Sequence, residues 1–244
     1  MANMDDMASD LTNAFFSKRL QYIRGEHTNH ALKAFAPQIV QDPYTQAMAS
    51  SLMLLPHGQN QVDKYVRSIG EALLGVCICL REEEEAEQTE PKKDGEETKT
   101  TEDNDAPSTP DSLRSFKYTA RPRHPTIIGV MCLGWDGISA RTAHHRTAPI
   151  GISLSPRYQN KGYGREAINW MLDWTFVHAG LHSVSISGAA YNPRALHLYK
   201  SLGFVEEGRR RETIWMNRGW WDEVEFGMTE GEWELLRKRT PGSC

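Results

Sequence analysis

The sequence predicts an α/β sandwich, a mixed sheet covered by helices, on three observations. Apolar residues switch repeatedly between the two-residue spacing of strands and the three-to-four-residue spacing of helices. A glycine-bearing turn, Gln159-Asn160-Lys161-Gly162-Tyr163-Gly164, joins an extended run to a helical run made of Ala167, Ile168, Met171, Leu172 and Phe176. A further strand and a well-punctuated helix follow, so a helix crosses between two strands, the unit that builds a sheet with helices on its faces.

In chain order, residues 20–24 read as a first strand and residues 29–35 as a short helix. Asp42-Pro43 opens a second helical stretch expected through Leu55, and Val62, Tyr65, Val66, Ile69 and Leu73 have one-face helical spacing. Residues 75–80 and 126–135 read as strands on either side of an acidic segment, and residues 148–155 as the strand before the glycine turn. The long helix is expected over residues 165–179, with Gly180 as its C-cap. Val184 and Ile186 alternate in another strand. Asn192 suits an N-cap, Pro193 the first helical turn and Gly203 the stop. The end reads as a hairpin in which Asn217-Arg218-Gly219 turns between residues 212–216 and 220–228.

A chain of 244 residues, 39% hydrophobic, can bury one core. No apolar stretch approaches the roughly 20 residues that span a bilayer, and the polar start lacks the regions of a signal peptide. The expectation is therefore a protein of the cytoplasm, with the nucleus open and no membrane partner. Cys77, Cys79, Cys132 and Cys244 are too scattered for a disulfide framework. Cys77 and Cys79 share a strand face and read as core thiols, because no second Cys or His pair has zinc spacing; no metal is expected.

Charge is unevenly distributed. Residues 82–112 hold thirteen acidic and three basic side chains, a net of −10, which leaves +6 for the remainder of a chain whose total is −4. With almost no large apolar residues, the segment cannot offset the entropy of ordering, and it reads as a disordered, solvated insertion between two strands. The basic remainder lacks a clustered Lys/Arg stripe, so no nucleic acid is expected. It suits an anionic cofactor.

The glycine turn carries the chemistry. A strand, a turn with Gly162 and Gly164, and a helix N-terminus bring backbone N–H groups and a positive dipole together, which suits a pyrophosphate. Neither the Rossmann nor the P-loop pattern is present. Twenty-eight residues past Gly164 comes Asn192-Pro193-Arg194-Ala195, leading into Leu198-Tyr199-Lys200-Ser201-Leu202-Gly203-Phe204. The pair of motifs, Q-x-x-G-x-G with N-x-x-A and L-Y-x-x-x-G-F, resembles the GNAT superfamily of acyl-CoA N-acyltransferases. The resemblance extends from about Ile127 to about Trp233. In Arg146, Pro156, Tyr158-Gln159, Leu181-His182, Glu207-Gly208, Gly219 and Asp222 it is similar to the branch of ribosomal-protein N-terminal and spermidine acetyltransferases.

The resemblance implies one domain over residues 1–244, a twisted mixed sheet splayed open for the cofactor, and acetyl-CoA as co-substrate. It implies an acetyl transfer to a primary amine, a polyamine-like molecule or a protein N-terminus, by direct attack in a ternary complex. It leaves open whether the protein is a monomer or a homodimer. Backbone N–H groups of Ile152 and Leu154 would meet pantetheine and the thioester, and Gln159, Asn160, Lys161, Gly162, Tyr163, Gly164, Arg165, Asn192 and Arg194 would surround the rest of the cofactor. Tyr199 matches the tyrosine that protonates the leaving thiolate, a role a phenol with a pKa near 10 can fill at neutral pH. Relatives place a Glu before the cofactor strand; here the position is Pro149. The base is thus left among His145, whose ordinary pKa suits it, Asp222, which shares a strand face with apolar residues, and water. Trp215, Trp220 and Trp221 read as packing, or as an aromatic pocket for a cationic amine with Asp222 or Glu223 as counter-charge. A CoA-binding module without activity and an interaction protein built on the acidic segment are the other two function classes.

Overall fold

A computed structural model of the chain describes residues 11–82, 84, 125–135 and 137–238. The acidic insertion lies, apart from Glu82 and Glu84, outside the described residues, as does Cys244. The elements are β1 (Leu20–Arg24), α1 (His30–Phe35), α2 (Pro37–Val40), α3 (Pro43–Ala49), α4 (Gln59–Glu71), β2 (Leu74–Leu80), β3 (Ile127–Leu133), β4 (Thr147–Leu154), α5 (Tyr163–Val177), β5 (Ser183–Ala189), α6 (Pro193–Ser201), β6 (Val205–Met216), β7 (Gly219–Thr229) and α7 (Glu230–Arg237). Seven strands form one mixed sheet in the order β1-β2-β3-β4-β5-β7-β6.

The sheet is covered on both faces, and β2 records it. All seven residues of Leu-Gly-Val-Cys-Ile-Cys-Leu are buried, as an apolar run without alternation requires. Val76, Ile78 and Leu80 join the core that α5, α6 and α7 cover, while Cys77 and Cys79 join the smaller core under α1, α2 and α4. Burial pushes the Cys77 thiol up to about 12. It is a packing group.

The feature that positions the site is a split in the sheet. β4 pairs antiparallel with β3 along residues 129–133 and 150–154. Its parallel pairing with β5 is confined to Thr147, Ala148 and Pro149 against Ser183, Val184 and Ser185. Beyond Pro149 the two strands diverge. The amide of Gly134 donates to the Pro149 carbonyl and the amide of Ser155 donates to the Ile128 carbonyl. Odd-numbered β4 residues therefore turn their polar backbone to β3. By the alternation of an antiparallel ladder, Ile150, Ile152 and Leu154 turn theirs into the split.

The helix expected from Asp42 through Leu55 stops at Ala49. Its last carbonyls are taken from elsewhere in the fold: Tyr191 Oη donates to Ala47 O at 2.7 Å and Asn192 Nδ2 to Met48 O at 3.1 Å. Ser50 then turns extended. Helix α4 ends at Glu71, so Leu73, which continues its apolar spacing, lies outside it and is exposed. The long helix begins and ends two residues earlier than its periodicity suggests, because Gly162 is already left-handed at φ 83° and His178 is its C-cap; Gly180 follows at φ 60°.

Strand β6 begins at Val205, seven residues before the expected hairpin arm. The run Glu-Glu-Gly-Arg-Arg-Arg-Glu carries six charged side chains. It lies at the sheet edge, where charge is tolerated, and Arg209 and Arg210 pair with Asp222 and Glu223 across the ladder. Asn217 and Arg218, both left-handed, make the hairpin turn. Helix α7 is an addition. Its start is a capping box, with the Thr229 hydroxyl accepting from the Glu232 amide and the Glu232 carboxylate accepting from the Thr229 amide.

Candidate active site

A cavity of about 610 Å³ opens at the split. One wall is β4 from Ile150 to Leu154 with the turn beyond it; the other is the end of β5 with the first turns of α6; the C-terminal end of α3 and, from the hairpin, Ile214 and Glu223 close its mouth. Ten of the expected residues line it: Ile152, Leu154, Gln159, Asn160, Gly162, Gly164, Arg165, Asn192, Arg194 and Tyr199. They come together across more than forty residues of chain because α5 crosses from β4 to β5 and α6 returns over the split.

The turn is rigidly held. Asn160 at φ 60° and Gly162 at φ 83° are left-handed, a conformation that turns successive amides inward as an anion nest just ahead of the α5 N-terminus. Gln159 Nε2 donates to the Leu154 carbonyl at 3.0 Å, tying the turn to β4. Arg194 ties it to α6, donating to Asn160 Oδ1 and Gln159 Oε1, each at 3.1 Å. Arg165 reaches Ser201 Oγ at 2.6 Å. Asn192 caps α6 through the Ala195 amide while its Nδ2 holds the end of α3. A Cβ at Gly164 would lie 3.6 Å from Leu154 Cδ1 and 3.7 Å from Leu198 Cδ2. That is ordinary contact, so the glycine preserves the cavity rather than the fold.

Tyr199 sits at the floor, 8% exposed, with its ring edge-on to Phe226. Burial pushes its phenol up to about 12, so it holds its proton at neutral pH. Gly188 of β5 permits the approach: a Cβ there would meet Leu196 Cδ2 at 3.0 Å and Tyr199 Cε2 at 3.6 Å.

Four expected residues stand apart from the lining. Lys161 faces solvent beside Tyr158. Tyr163 is buried behind the turn, where its hydroxyl donates to Glu84 at 2.5 Å. His145 lies in a short 3-10 turn against His144, before β4 begins. Arg146 and five strand residues, the latter roughly 17 Å at about 3.3 Å each, separate it from Ile152. Asp222 is fixed in the hairpin irregularity. The Glu212 amide donates to Oδ1 at 3.0 Å and Arg209 to Oδ2 at 3.3 Å, and those contacts, the amide first, hold its carboxyl below the usual range. Its neighbour Glu223, on the opposite face of β7, lines the cavity instead. Glu223 accepts from Ser187 Oγ at 3.1 Å and pairs with Arg210 at 2.9 Å.

Sequence reasoning missed a clamp behind the turn. Arg19, just before β1, donates from Nε to Glu166 Oε2 at 2.8 Å and from Nη1 to the Lys161 carbonyl at 3.1 Å, and stacks 4.4 Å over the Tyr163 ring. Burial alone would raise the Glu166 carboxyl, but the Arg19 amide, the Ser17 hydroxyl and the Arg19 guanidinium together hold it low. No local pattern joins residues 147 positions apart. Glu223, which the sequence offered beside Asp222 as a counter-charge for a cationic amine, lines the cavity; Gly188 was missed, though a glycine inside a strand is a signal.

The sequence pattern of the acetyltransferase (GNAT) family matches residues 77–204. Over 73 residues the chain is 42% identical to the spermidine N(1)-acetyltransferase of Vibrio cholerae, covering 30% of this chain and 42% of that protein. The Escherichia coli K12 spermidine N(1)-acetyltransferase is 29% identical over 98 residues, 40% of this chain and 52% of its own. The N-alpha-acetyltransferase RimI of Mycobacterium tuberculosis is 35% identical over 85 residues, 34% and 51% of the two chains. The chain thus spans about half the length of the curated relatives it matches. Among solved structures, the Vibrio cholerae spermidine N-acetyltransferase in complex with CoA and spermine superposes with a TM-score of 0.60 at 18% identity, over 89% of this chain and 99% of that one. An acetyltransferase of the GNAT family from Bacillus anthracis gives 0.58 at 15% identity, over 89% and 98%. These likenesses establish the fold, a seven-stranded mixed sheet flanked by helices and opened between its fourth and fifth strands.

Proposed function

Because this chain belongs to the acetyltransferase (GNAT) family, we propose that it transfers an acetyl group from acetyl-CoA to a primary amine, by direct attack within a ternary complex. The observation that carries this reading is the split itself. Backbone polar groups of Ile152 and Leu154 turn into a cavity that has an anion nest at one end and a buried, protonated tyrosine at its floor.

In this reading the pyrophosphate of CoA rests against the amides of the Gln159–Gly164 turn and the α5 N-terminus. The pantetheine arm runs along β4 like an added strand, and an Ile152 or Leu154 amide polarises the thioester oxygen. The neutral amine attacks the carbonyl carbon, a C–N bond forms and the C–S bond breaks. The sulfur keeps the bonding pair and takes the Tyr199 proton; the phenolate recovers a proton from the acylated nitrogen. The proton that the ammonium sheds before attack is the net proton released. Tyr199 acts here with a phenol at about 12, a weaker acid than in water, but matched to a thiolate forming in the same dry floor. The acceptor is an amine, a small molecule or a peptide N-terminus, entering between α3 and the hairpin.

Thiol release from acetyl-CoA, followed across a panel of polyamines, aminoglycosides, amino acids and N-terminal peptides, tests the reading. Acceptor-dependent release that forms an amide supports it. Tight CoA binding with no release for any acceptor would point to the non-catalytic alternative.

A further inference from the structure

Building on that transferase reading, we infer that the acceptor is a single ammonium carried on an apolar body, held by Glu223 against a wall formed by Trp221, Ile214 and Tyr191, and that it is not a polyamine. Charge on the acceptor side is the first observation. Among the described residues that line the cavity, Glu223 is the one carboxylate, and Arg210 already pairs with it at 2.9 Å. The other charged side chains that line it, Arg165 and Arg194, are guanidinium groups as well. One ammonium can compete for Glu223 and the Ser187 hydroxyl bonded to it. A second or third ammonium on the same molecule would meet guanidinium groups and apolar surface, and desolvating it there without a partner is unfavourable.

The apolar wall is the second observation. Ile214 is opposite Trp221 in the ladder, so the two share a face, and Glu223 follows two residues on along β7, on that face too. Trp221 is 40% exposed, an aromatic side chain left open across the ladder from cavity-lining Ile214. It is held there: its Nε1 donates to the Met216 carbonyl at 3.3 Å, and its ring meets Tyr191 edge-on at 5.5 Å. Tyr191 is itself fixed by its bond to Ala47 O. The wall is thus formed before any acceptor arrives. Beyond cavity-lining Ser50 and Ser51, Leu52 and Met53 are each 75% exposed, apolar surface that follows the lining directly in the chain. A charged head beside Glu223 with an aliphatic or aromatic body along Trp221 satisfies both features; a flexible tri-cation satisfies one end only.

The proton balance fits this placement. The bound ammonium transfers one proton to the Glu223 carboxylate, which passes it to solvent at the exposed Arg210 edge. The free amine then attacks as above.

The test measures kcat/KM for 2-phenylethylamine, a peptide with an N-terminal leucine and spermidine, in the wild type, Trp221→Ala and Glu223→Gln. Either monocation should exceed spermidine by about tenfold or more, the scale on which apolar contacts discriminate, and whichever is faster separates a small arylalkylamine from a peptide N-terminus. Trp221→Ala should shrink that ratio to within about threefold while the Kd of acetyl-CoA stays constant. Glu223→Gln should lower kcat/KM for the monocations, with a deficit that closes as pH rises toward the amine's own pKa; a deficit flat with pH would mark Glu223 as structural and overturn its role. Spermidine equal to or faster than both monocations overturns the inference and leaves the transferase reading standing. No transfer to any acceptor while CoA binds normally overturns both.

Discussion

On the β4 side of the cavity the polar groups come from the backbone, the amides of Ile152 and Leu154 and the turn through Asn160 and Gly162, whereas on the hairpin side they come from side chains, Glu223, Ser187 and Arg210. Backbone recognition needs a particular chain path, so it leaves glycines and a helix start as its trace. Side-chain recognition needs only that certain residues meet, and the meeting is decided by strand register. The cofactor side is accordingly a compact stretch of sequence, and the acceptor side is gathered from α3, β5 and the hairpin.

Tyr199 lies where the two sides meet, and its removal is expected to have the largest effect. Tyr199→Phe keeps the ring against Phe226 and deletes the acid, so kcat should fall by about 10²-fold, the lower end for general acid–base groups, with the Kd of acetyl-CoA within about twofold. Stopped-flow or steady-state rates check it. The pH dependence has a definite sign. Because burial raises the phenol to about 12, the group stays protonated through and beyond its ordinary pKa, and the wild-type advantage over Tyr199→Phe should persist past pH 10 and decline only as the pH approaches about 12.

Gly164→Val attacks the backbone side alone. A Cβ fits there, but the two methyls beyond it occupy space the cofactor needs, and such overpacking costs about 1–3 kcal/mol, roughly ten- to a hundredfold in affinity. Calorimetry with CoA should record that loss alongside an unchanged melting temperature. Arg19→Ala probes the same side from behind. Glu166 and the Lys161 carbonyl lose a charged partner, for about 1–2 kcal/mol of stability, and CoA should weaken a few-fold as the turn loosens; thermal melts and calorimetry separate the two effects. At the small end, Asp222→Asn and His145→Ala should each change kcat/KM by less than about threefold. Asp222 pins the Glu212 amide, an acceptor role that Asn can retain, and His145 lies at the far end of β4. A tenfold loss in either would return it to the list of bases.

The same contrast explains what the sequence made legible. The strand, turn and helix around Gly162 and the capped helix after Asn192 depend on local signals, glycine conformation and N-capping, and their places were readable within two residues. The end of α3 was not, because its stop is set by Tyr191 and Asn192, over 140 residues away, rather than by any local breaker. The expected hairpin arm left out residues 205–211 of β6, whose charged side chains meet Asp222 and Glu223 only in the folded sheet. Helix α7 was different: Thr229-Glu230-Gly231-Glu232 carries a capping-box pattern in plain view. For the site, alternation placed Asp222 beside apolar residues, yet the ladder gives the cavity to Glu223, one residue on and on the other face. A single-residue register decides which carboxylate meets the acceptor.

Amide hydrogen exchange with and without acetyl-CoA tests the central claim most directly, because it reads the backbone that the split is said to offer. Bound cofactor should slow exchange in residues 150–155 and 159–165, with the hairpin at residues 209–223 unchanged until an acceptor analogue is added. Equal exchange at Ile152 and Leu154 in the free and bound protein, with protection appearing elsewhere, would contradict it.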